Sequence, residues 1–241
     1  MKCLSYLGRE GRLVAAVALF SGCLLASTPA HALSITLSEA ISGLSVTIDD
    51  NGFGDMNFLL GAVMYSGTLG NVAFDLTTAL ADPLIGSPDA ALLSLTQLSV
   101  TASKNAVLTV KVTDTDRTLT PAPSVASFSS NIGGVLTGGG SVLASTYVDL
   151  TNAAFGTSGL SSSFGPFSTG AFSGEQSTSF AYSGPFSLTQ VAVLTLSAGS
   201  LVSFDVHSTV TSVPEPGSLA LVGLGLTAIL ASRHRKHLVA A

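Results

Sequence analysis

The chain has 241 residues, of which only 10% are charged, and its formal net charge is −5. An acidic chain with few cations repels phosphate backbones, so we do not expect it to bind nucleic acid. Its two cysteines, Cys3 and Cys23, lie near the N-terminus. The rest of the chain therefore cannot use disulfides, thiol nucleophiles or thiolate metal sites.

Residues 1–32 have the three parts of a secretory signal peptide. A basic start precedes an apolar stretch from Leu13 to Ala26, which is too short to span a membrane comfortably. Ala30 and Ala32 then supply small residues at the two positions that signal peptidase recognises. We predict export through the secretion translocon and cleavage after Ala32. A lipoprotein is the alternative, because Cys23 follows Ser21-Gly22.

Residues 33–212 are predicted to form a β-rich extracellular domain. Apolar and polar residues alternate with period two in several runs, as they do in half-buried strands, and turn signals such as Asn51-Gly52 separate these runs. The predicted strands lie at residues 44–49, 72–76, 92–100, 106–112, 142–150, 188–196 and 202–210. This spacing predicts an all-β fold, an antiparallel β-sandwich, with a jelly roll as one form of it. A β-solenoid is the alternative, although no fixed repeat period emerges.

Two segments rich in glycine and serine, 131–140 and 157–174, are predicted to be surface loops. The second contains Phe164, Phe167 and Phe172. These rings could cap the core or form an exposed aromatic patch, and we favour the core because most aromatic side chains are buried.

Asp49, Asn51 and Asp55 stand on a glycine-containing loop after the first predicted strand. Carboxylate and amide oxygens on a flexible backbone are the ligands that Ca²⁺ prefers, so these residues are candidate Ca²⁺ ligands. The loop is not an EF-hand, because Phe53 occupies the fifth position and no glutamate follows at the twelfth. The alternative is an acidic hairpin loop that caps a strand. No other cofactor is expected.

Two further groups of polar residues are candidates for a catalytic or binding role. The run from Asp114 to Arg117 is interpreted as a solvated turn with a local ion pair. His207 lies beside Asp205 on the polar side of the last predicted strand, and serines are plentiful, but no Gly-x-Ser-x-Gly elbow is present. A histidine on a strand surface is the better interpretation, because a triad needs several groups in register. We predict no catalytic residue and no enzymatic activity.

Residues 213–241 form a C-terminal tail with three distinct parts. Pro214, Glu215 and Pro216 lie in the segment 213–217, and a stretch without charged residues follows at 218–232. That stretch reaches the lower end of the length that a spanning helix needs. The basic segment 233–241 carries Arg233, Arg235 and Lys236. Basic residues beside a span stay cytoplasmic, which places the body of the protein on the outer side of the membrane.

These three parts, in this order, resemble the PEP-CTERM sorting domain, whereas a plain C-terminal anchor is the alternative. The resemblance implies a Gram-negative-type bacterium and recognition of the tail by an exosortase, a membrane-embedded cysteine protease or transpeptidase. It also implies a transient stage in the inner membrane, a final place at the cell surface or in the extracellular matrix, and a link to exopolysaccharide and biofilm.

Two functional classes follow for the body. The first is a structural or adhesive envelope protein, with exopolysaccharide as a candidate partner. The second is a carbohydrate-binding module or a matrix-polysaccharide hydrolase, and a hydrolase would need two carboxylates facing each other across a cleft. With no tryptophan and only four tyrosines, the chain is poorly provided with the aromatic platform of a sugar binder. We therefore favour the first class.

Overall fold

The computed structural model describes residues 33–213 and 224–227. The first range contains twelve β-strands, and residues 224–227 form one helical turn. The strands are β1 (Ser34–Glu39), β2 (Leu44–Asp49), β3 (Ala62–Leu69), β4 (Val72–Leu80), β5 (Ala90–Ala102), β6 (Ala106–Arg117), β7 (Val125–Thr137), β8 (Gly140–Asp149), β9 (Leu160–Phe167), β10 (Gly170–Ala181), β11 (Phe186–Leu196) and β12 (Leu201–Ser212). Each predicted strand overlaps one of these.

The strands form two six-stranded sheets in which every pairing is antiparallel. Sheet A has the order β2-β1-β6-β11-β8-β9, and sheet B has the order β10-β7-β12-β5-β4-β3. The predicted all-β antiparallel sandwich is confirmed. The solenoid alternative does not describe residues 33–213, because a solenoid would stack repeated coils rather than two antiparallel sheets.

From β5 onward the chain crosses repeatedly between the two sheets. The order is β5-β12-β7-β10 in sheet B and β6-β11-β8-β9 in sheet A. This interleaving of eight strands in two sheets is the strand order of a jelly roll. Strands β3 and β4 widen sheet B beyond β5, while β1 and β2 widen sheet A beyond β6.

The core lies between the sheets and is built from the alternation seen in the sequence. In β6, alternate residues from Ala106 to Val112 are at most 1% exposed, and in β12 alternate residues from Val202 to Val206 are at most 2% exposed. Burying an aliphatic or phenyl side chain of this kind contributes about 1.5–3 kcal/mol relative to leaving it in water. The period-two pattern therefore selects the strand conformation, because only that conformation places these side chains on one face.

The prediction of surface loops at 131–140 and 157–174 is wrong. These segments contribute the whole second half of β7, all of β9 and the start of β10. A Cβ at Gly134 would lie 2.3 Å from Cβ of Phe204 and 2.8 Å from the ring of Phe172. The glycine is therefore required by close packing inside a sheet, not by a turn. Phe164 is buried, and Phe167 and Phe172 pack against the core, as favoured.

The two ends of the sandwich differ. Odd-numbered strands run one way and even-numbered strands the other, so successive connections alternate between the ends. At one end, here called the turn end, the connections are 40–43, 70–71, 103–105, 138–139, 168–169 and 197–200. At the other, here called the tail end, the longer connections 50–61, 81–89, 118–124 and 150–159 meet the short connection 182–185, Leu33 and Val213. The chain thus enters and leaves the sandwich at the tail end.

No helix in the ranges 33–213 and 224–227 is long and apolar enough to cross a membrane. The spanning helix predicted at 218–232 is therefore not confirmed, and all of it except 224–227 lies outside the described residues. The predicted signal peptide also lies outside them.

Candidate functional site

The last strand carries the chain directly to the predicted processing site. The backbone N–H of Ser212 donates to the carbonyl of Asp89 (3.2 Å), and that of Val213 donates to the carbonyl of Val125 (3.1 Å). The body is therefore hydrogen-bonded up to the residue that precedes Pro214. Several predicted site residues lie outside the described ones: Cys23, Ala30, Ala32, Pro214, Glu215, Pro216, Arg233, Arg235 and Lys236.

The chain between the body and the predicted span is short. Ser218 follows Val213 by five residues, and a fully extended chain of that length reaches at most about 17 Å. Proline also disfavours the helical region for the residue before it, which favours an extended backbone at Val213. Insertion of the predicted span would therefore hold the tail end of the sandwich close to the membrane.

The connection 50–61 presents large apolar side chains at this end. Its five exposed members, here called the apolar loop, are Phe53 (102% exposed), Met56 (58%), Phe58 (85%), Leu59 (59%) and Leu60 (60%). The loop is held by polar contacts on its inner side. The Asp55 carboxylate accepts the backbone N–H groups of Asn51, Asn57 and Met64, each at 2.9 Å. The Asp50 carboxylate accepts that of Gly61 at 2.7 Å.

The three candidate Ca²⁺ ligands lie in the same connection or next to it. The Asp49 carboxylate accepts the hydroxyl of Ser34 (2.7 Å), and the side-chain amide of Asn51 donates to Asp50 (2.9 Å). Across residues 33–213 and 224–227, no three histidine, cysteine, aspartate or glutamate side chains are grouped as metal ligands. Burial, as the main cause, raises the pKa of Asp50, and the nearby charge of Asp55 raises it further. The loop conformation is explained by its hydrogen bonds, and Ca²⁺ binding at Asp49, Asn51 and Asp55 stays a prediction.

A buried ion cluster joins strand β6 to the neighbouring connection 81–89. Nε of Arg117 lies 3.2 Å from Oδ2 of Asp114, and Nη1 lies 3.0 Å from Oδ2 of Asp82. Asp114 is 0% exposed and Arg117 is 3% exposed. Burial raises the pKa of Asp114 to about 7, although the Arg117 charge opposes this rise. The predicted ion pair is confirmed, but the predicted solvated turn is wrong, because these residues end a strand in the interior.

Carboxylates also order the connection 150–159. The backbone N–H of Asp116 donates to the side-chain carbonyl of Asn152 (2.8 Å), and the Asn152 amide donates back to the Asp116 carboxylate (2.6 Å). Asp149, 2% exposed, accepts from Thr151 and Ser158. The hydroxyl of Thr151 is the largest cause that lowers the pKa of Asp149. Polar side chains at the tail end thus form hydrogen bonds that stabilise its loops.

His207 has a serine partner on the outer face of sheet B. Nδ1 of His207 lies 2.6 Å from Oγ of Ser94. Asp205 does not complete a triad, because its carboxylate accepts the backbone N–H of Gln97 (2.6 Å) at the bulge between β5 and β12. The sheet register places Ser94, His207, Asn131 and Glu175 in one row across four strands. The arrangement is a polar sheet surface with one serine–histidine hydrogen bond.

Comparison with known proteins identifies the tail. The family model of the PEP-CTERM protein-sorting motif matches residues 212–236. The chain therefore carries this motif, as the resemblance at Pro214, Glu215 and Pro216 indicated. The family model does not extend over the β-sandwich. No curated protein matches the chain.

Solved structures share only a distant likeness with the body. TmCBM61, solved with β-1,4-galactotriose, is 12% identical, with 65% of this chain and 90% of that chain covered and a TM-score of 0.29. The mannan-recognising module TmCBM27 is 14% identical, with coverage of 63% and 99% and a TM-score of 0.26. The CBM22-1 xylan-binding domain from Paenibacillus barcinonensis Xyn10C is 12% identical, with coverage of 64% and 88% and a TM-score of 0.26. We infer no ligand from similarity at this level.

Proposed function

We propose that the protein is exported, held transiently in the inner membrane by its tail, and cut by an exosortase to become a structural or adhesive protein of the cell surface or extracellular matrix. One observation carries the processing step. The sorting motif begins at residue 212, and Ser212 is also the last residue of β12. The folded body therefore ends where the motif begins, and cutting there leaves the sandwich intact.

The order of the tail gives each part a physical role. The basic residues Arg233, Arg235 and Lys236 resist transfer across the membrane, so translocation stops with the body outside. Pro214 and Pro216 keep the peptide before the span out of a helix and accessible to a membrane protease. The body contributes a folded domain that ends at Val213, which leaves this peptide as the connection between sandwich and membrane.

The outer face of sheet A supports a contact role for the body. Hydroxyl groups pair across neighbouring strands, with Thr36 to Thr47 at 3.0 Å, Ser38 to Ser45 at 2.9 Å and Ser145 to Ser163 at 3.0 Å. Three of the six residues are exposed, namely Ser45, Thr47 and Ser163, and the other three are half-buried. Each hydroxyl keeps further hydrogen-bonding capacity. A face of this kind suits a hydroxyl-rich polymer such as exopolysaccharide, which is why we place the protein in a matrix.

The processing step is tested by expressing the chain in matched cells with and without an exosortase. We expect a full-length form in the inner membrane when the exosortase is absent and a shorter form at the surface or in the matrix when it is present. Immunoblots of the separated fractions would show this. Identical forms and locations in both cells would contradict the proposal.

The second candidate is a carbohydrate-binding module, and one surface favours it. The row formed by Asn131, Glu175 and His207 on sheet B offers an amide, a carboxylate and an imidazole on one sheet face. Sedimentation of the protein with purified matrix polysaccharide would measure binding. Loss of binding in Asn131→Ala with Glu175→Ala, but not in Thr36→Ala with Thr47→Ala, would assign the role to this row. The opposite pattern would assign it to sheet A.

A further inference from the structure

We infer that the apolar loop contacts the outer leaflet of the membrane while the tail is inserted, so that the body is held at two points. This rests on the membrane stage of the proposed function and adds a second attachment, made by the sandwich itself. The partner is a lipid surface with zwitterionic headgroups.

The large apolar side chains of the apolar loop are unusually exposed to solvent. Phe53 and Phe58 are 102% and 85% exposed, and three aliphatic neighbours are each more than half exposed. Contiguous exposed apolar patches on soluble domains mark interaction sites. Phenylalanine and leucine are the side chains that interfacial segments bury at the boundary between headgroups and acyl chains.

The loop stands at the end of the sandwich from which the tail leaves. In sheet B, β3 is separated from β12 by β5 and β4, so their ends are three strand spacings apart, about 14 Å. The chain from Val213 to Ser218 reaches at most about 17 Å. A membrane that receives the predicted span is therefore within reach of the connection that opens β3.

Other apolar side chains surround the exit point. Leu84, Val125, Leu150 and Val213 are 44%, 38%, 43% and 37% exposed, and all four belong to connections or strand ends at the tail end. By the same criterion the turn end offers Ile41 at 58%, Leu44 at 50% and Leu201 at 39%. Within the described ranges 33–213 and 224–227, however, every exposed phenylalanine belongs to the apolar loop. The apolar surface is thus concentrated beside the membrane-directed terminus.

The charges at this end select the type of lipid. Asp49, Asp50, Asp55 and Asp89 lie in the tail-end connections or at their edges. Among residues 33–213 the cations are Lys104 at the turn end, Lys111 within β6, and Arg117, which is buried and paired. Attraction to anionic headgroups is therefore absent, and insertion must come from apolar burial. Zwitterionic lipid should be favoured over anionic lipid.

The chain contains no tryptophan, so a single introduced indole reports its own surroundings. We would reconstitute full-length Phe58→Trp and Ile41→Trp chains into phosphatidylcholine vesicles with and without brominated acyl chains. Leu59 and Ile41 have matched exposures of 59% and 58%, so Leu59→Trp is a second reporter. We expect blue-shifted emission that brominated lipid quenches for both loop reporters, and unshifted, unquenched emission for Ile41→Trp. Replacing half of the lipid with phosphatidylglycerol should weaken the loop quenching.

Flotation of the same vesicles separates this inference from the proposed function. If the chains do not float with the vesicles, the tail does not insert and the membrane stage fails. If they float but brominated lipid leaves Phe58→Trp and Leu59→Trp unquenched, only the loop contact is overturned. A loop reporter whose emission shifts with protein concentration but not with brominated lipid would assign the loop to a second copy and would also overturn it.

Discussion

The backbone N–H of Val213 donates to the carbonyl of Val125 at 3.1 Å, which ties the residue before Pro214 to the first residue of β7. The sorting motif starts one residue earlier, at position 212. Folding of the jelly roll and presentation of the motif are therefore coupled at one point of the structure. A protease that acts after this point meets a peptide anchored on one side by the sandwich.

The opposite terminus offers a prediction about export. Leu33 is 1% exposed, and its carbonyl accepts the backbone N–H of Asp50 at 3.0 Å. Cleavage after Ala32 would leave Leu33, the residue before β1, as the first residue of the mature protein. N-terminal mass spectrometry of the envelope fraction should find Leu33, and Ala32→Phe should block cleavage because signal peptidase requires a small residue there. A lipid-modified Cys23 at the N-terminus would show a lipoprotein instead.

Close packing at Gly134 predicts that an alanine there destabilises the fold, and the adjacent Gly133 provides a control. Gly134→Ala would place a Cβ 2.3 Å from Cβ of Phe204 and 2.6 Å from the carbonyl oxygen of Ser203. Overpacking of this kind costs about 1–3 kcal/mol of unfolding free energy. A Cβ at Gly133 meets nothing within 4 Å, so Gly133→Ala is the control. Urea denaturation of the full chain in detergent should show the loss in the first variant only, and equal midpoints would contradict the account.

The same glycine shows what sequence patterns could and could not predict. Alternation identified β6 and β12, because their inward residues are aliphatic or aromatic throughout. It missed β1, β3, β7, β9 and β10. In the last three, glycine and serine indicate loops unless one knows that Phe204 and Phe164 lie against Gly134 and Gly174. These contacts join residues that are distant in sequence, so they are known only from the tertiary structure. The sorting motif, by contrast, is local in sequence, and the match over residues 212–236 confirms its prediction from Pro214, Glu215 and Pro216.

The buried cluster was missed for a different reason. Asp114 continues the inward register of Leu108, Val110 and Val112, which is a signal that it faces the core. A run of charged residues instead favoured a solvated turn. Only the fold brings Asp82, from the connection 81–89, to within 3.0 Å of Arg117.

Asp114 predicts a specific pH dependence of stability. Burial raises its pKa from 3.8 to about 7, so the folded protein binds this proton more tightly than the unfolded chain does. Its contribution to stability is therefore greatest below the unfolded pKa and is lost as pH rises through about 7. The unfolding free energy of Asp114→Asn minus that of the parent should grow by a few kcal/mol over this window, since one pKa unit corresponds to about 1.4 kcal/mol.

The pKa of Asp149 is shifted in the opposite direction from that of Asp114, so its effect on the pH dependence of stability has the opposite sign. Asp149→Asn therefore serves as the control for Asp114→Asn. Its pKa is lowered from 3.8, chiefly by the Thr151 hydroxyl, so its stabilising contribution is present above that value and is lost as pH falls through the folded pKa. The difference between Asp149→Asn and the parent should therefore change only below about pH 4. Denaturation curves at several pH values check both variants. A flat difference for Asp114→Asn between pH 4 and pH 7 would contradict the assignment.

The Ca²⁺ prediction has a direct test. A cation bound by Asp49, Asn51 and Asp55 only in the folded state must raise the melting temperature, because a ligand that binds the native state stabilises it. Melting of the parent in millimolar Ca²⁺ and in chelator should then differ, and Asn51→Ala should reduce the difference. Equal melting temperatures in the two buffers would remove Ca²⁺ from the description of this loop.

The most direct measurement concerns the peptide that follows Val213. Pro214, Glu215 and Pro216 would be replaced together by alanine, and the C-terminus of the protein recovered from each cell fraction would be determined by intact mass. The account predicts that the parent ends near the Pro-Glu-Pro segment and lies at the surface or in the matrix. The alanine variant should keep its full tail through Ala241 and stay in the inner membrane. A variant trimmed and exported like the parent would contradict the account.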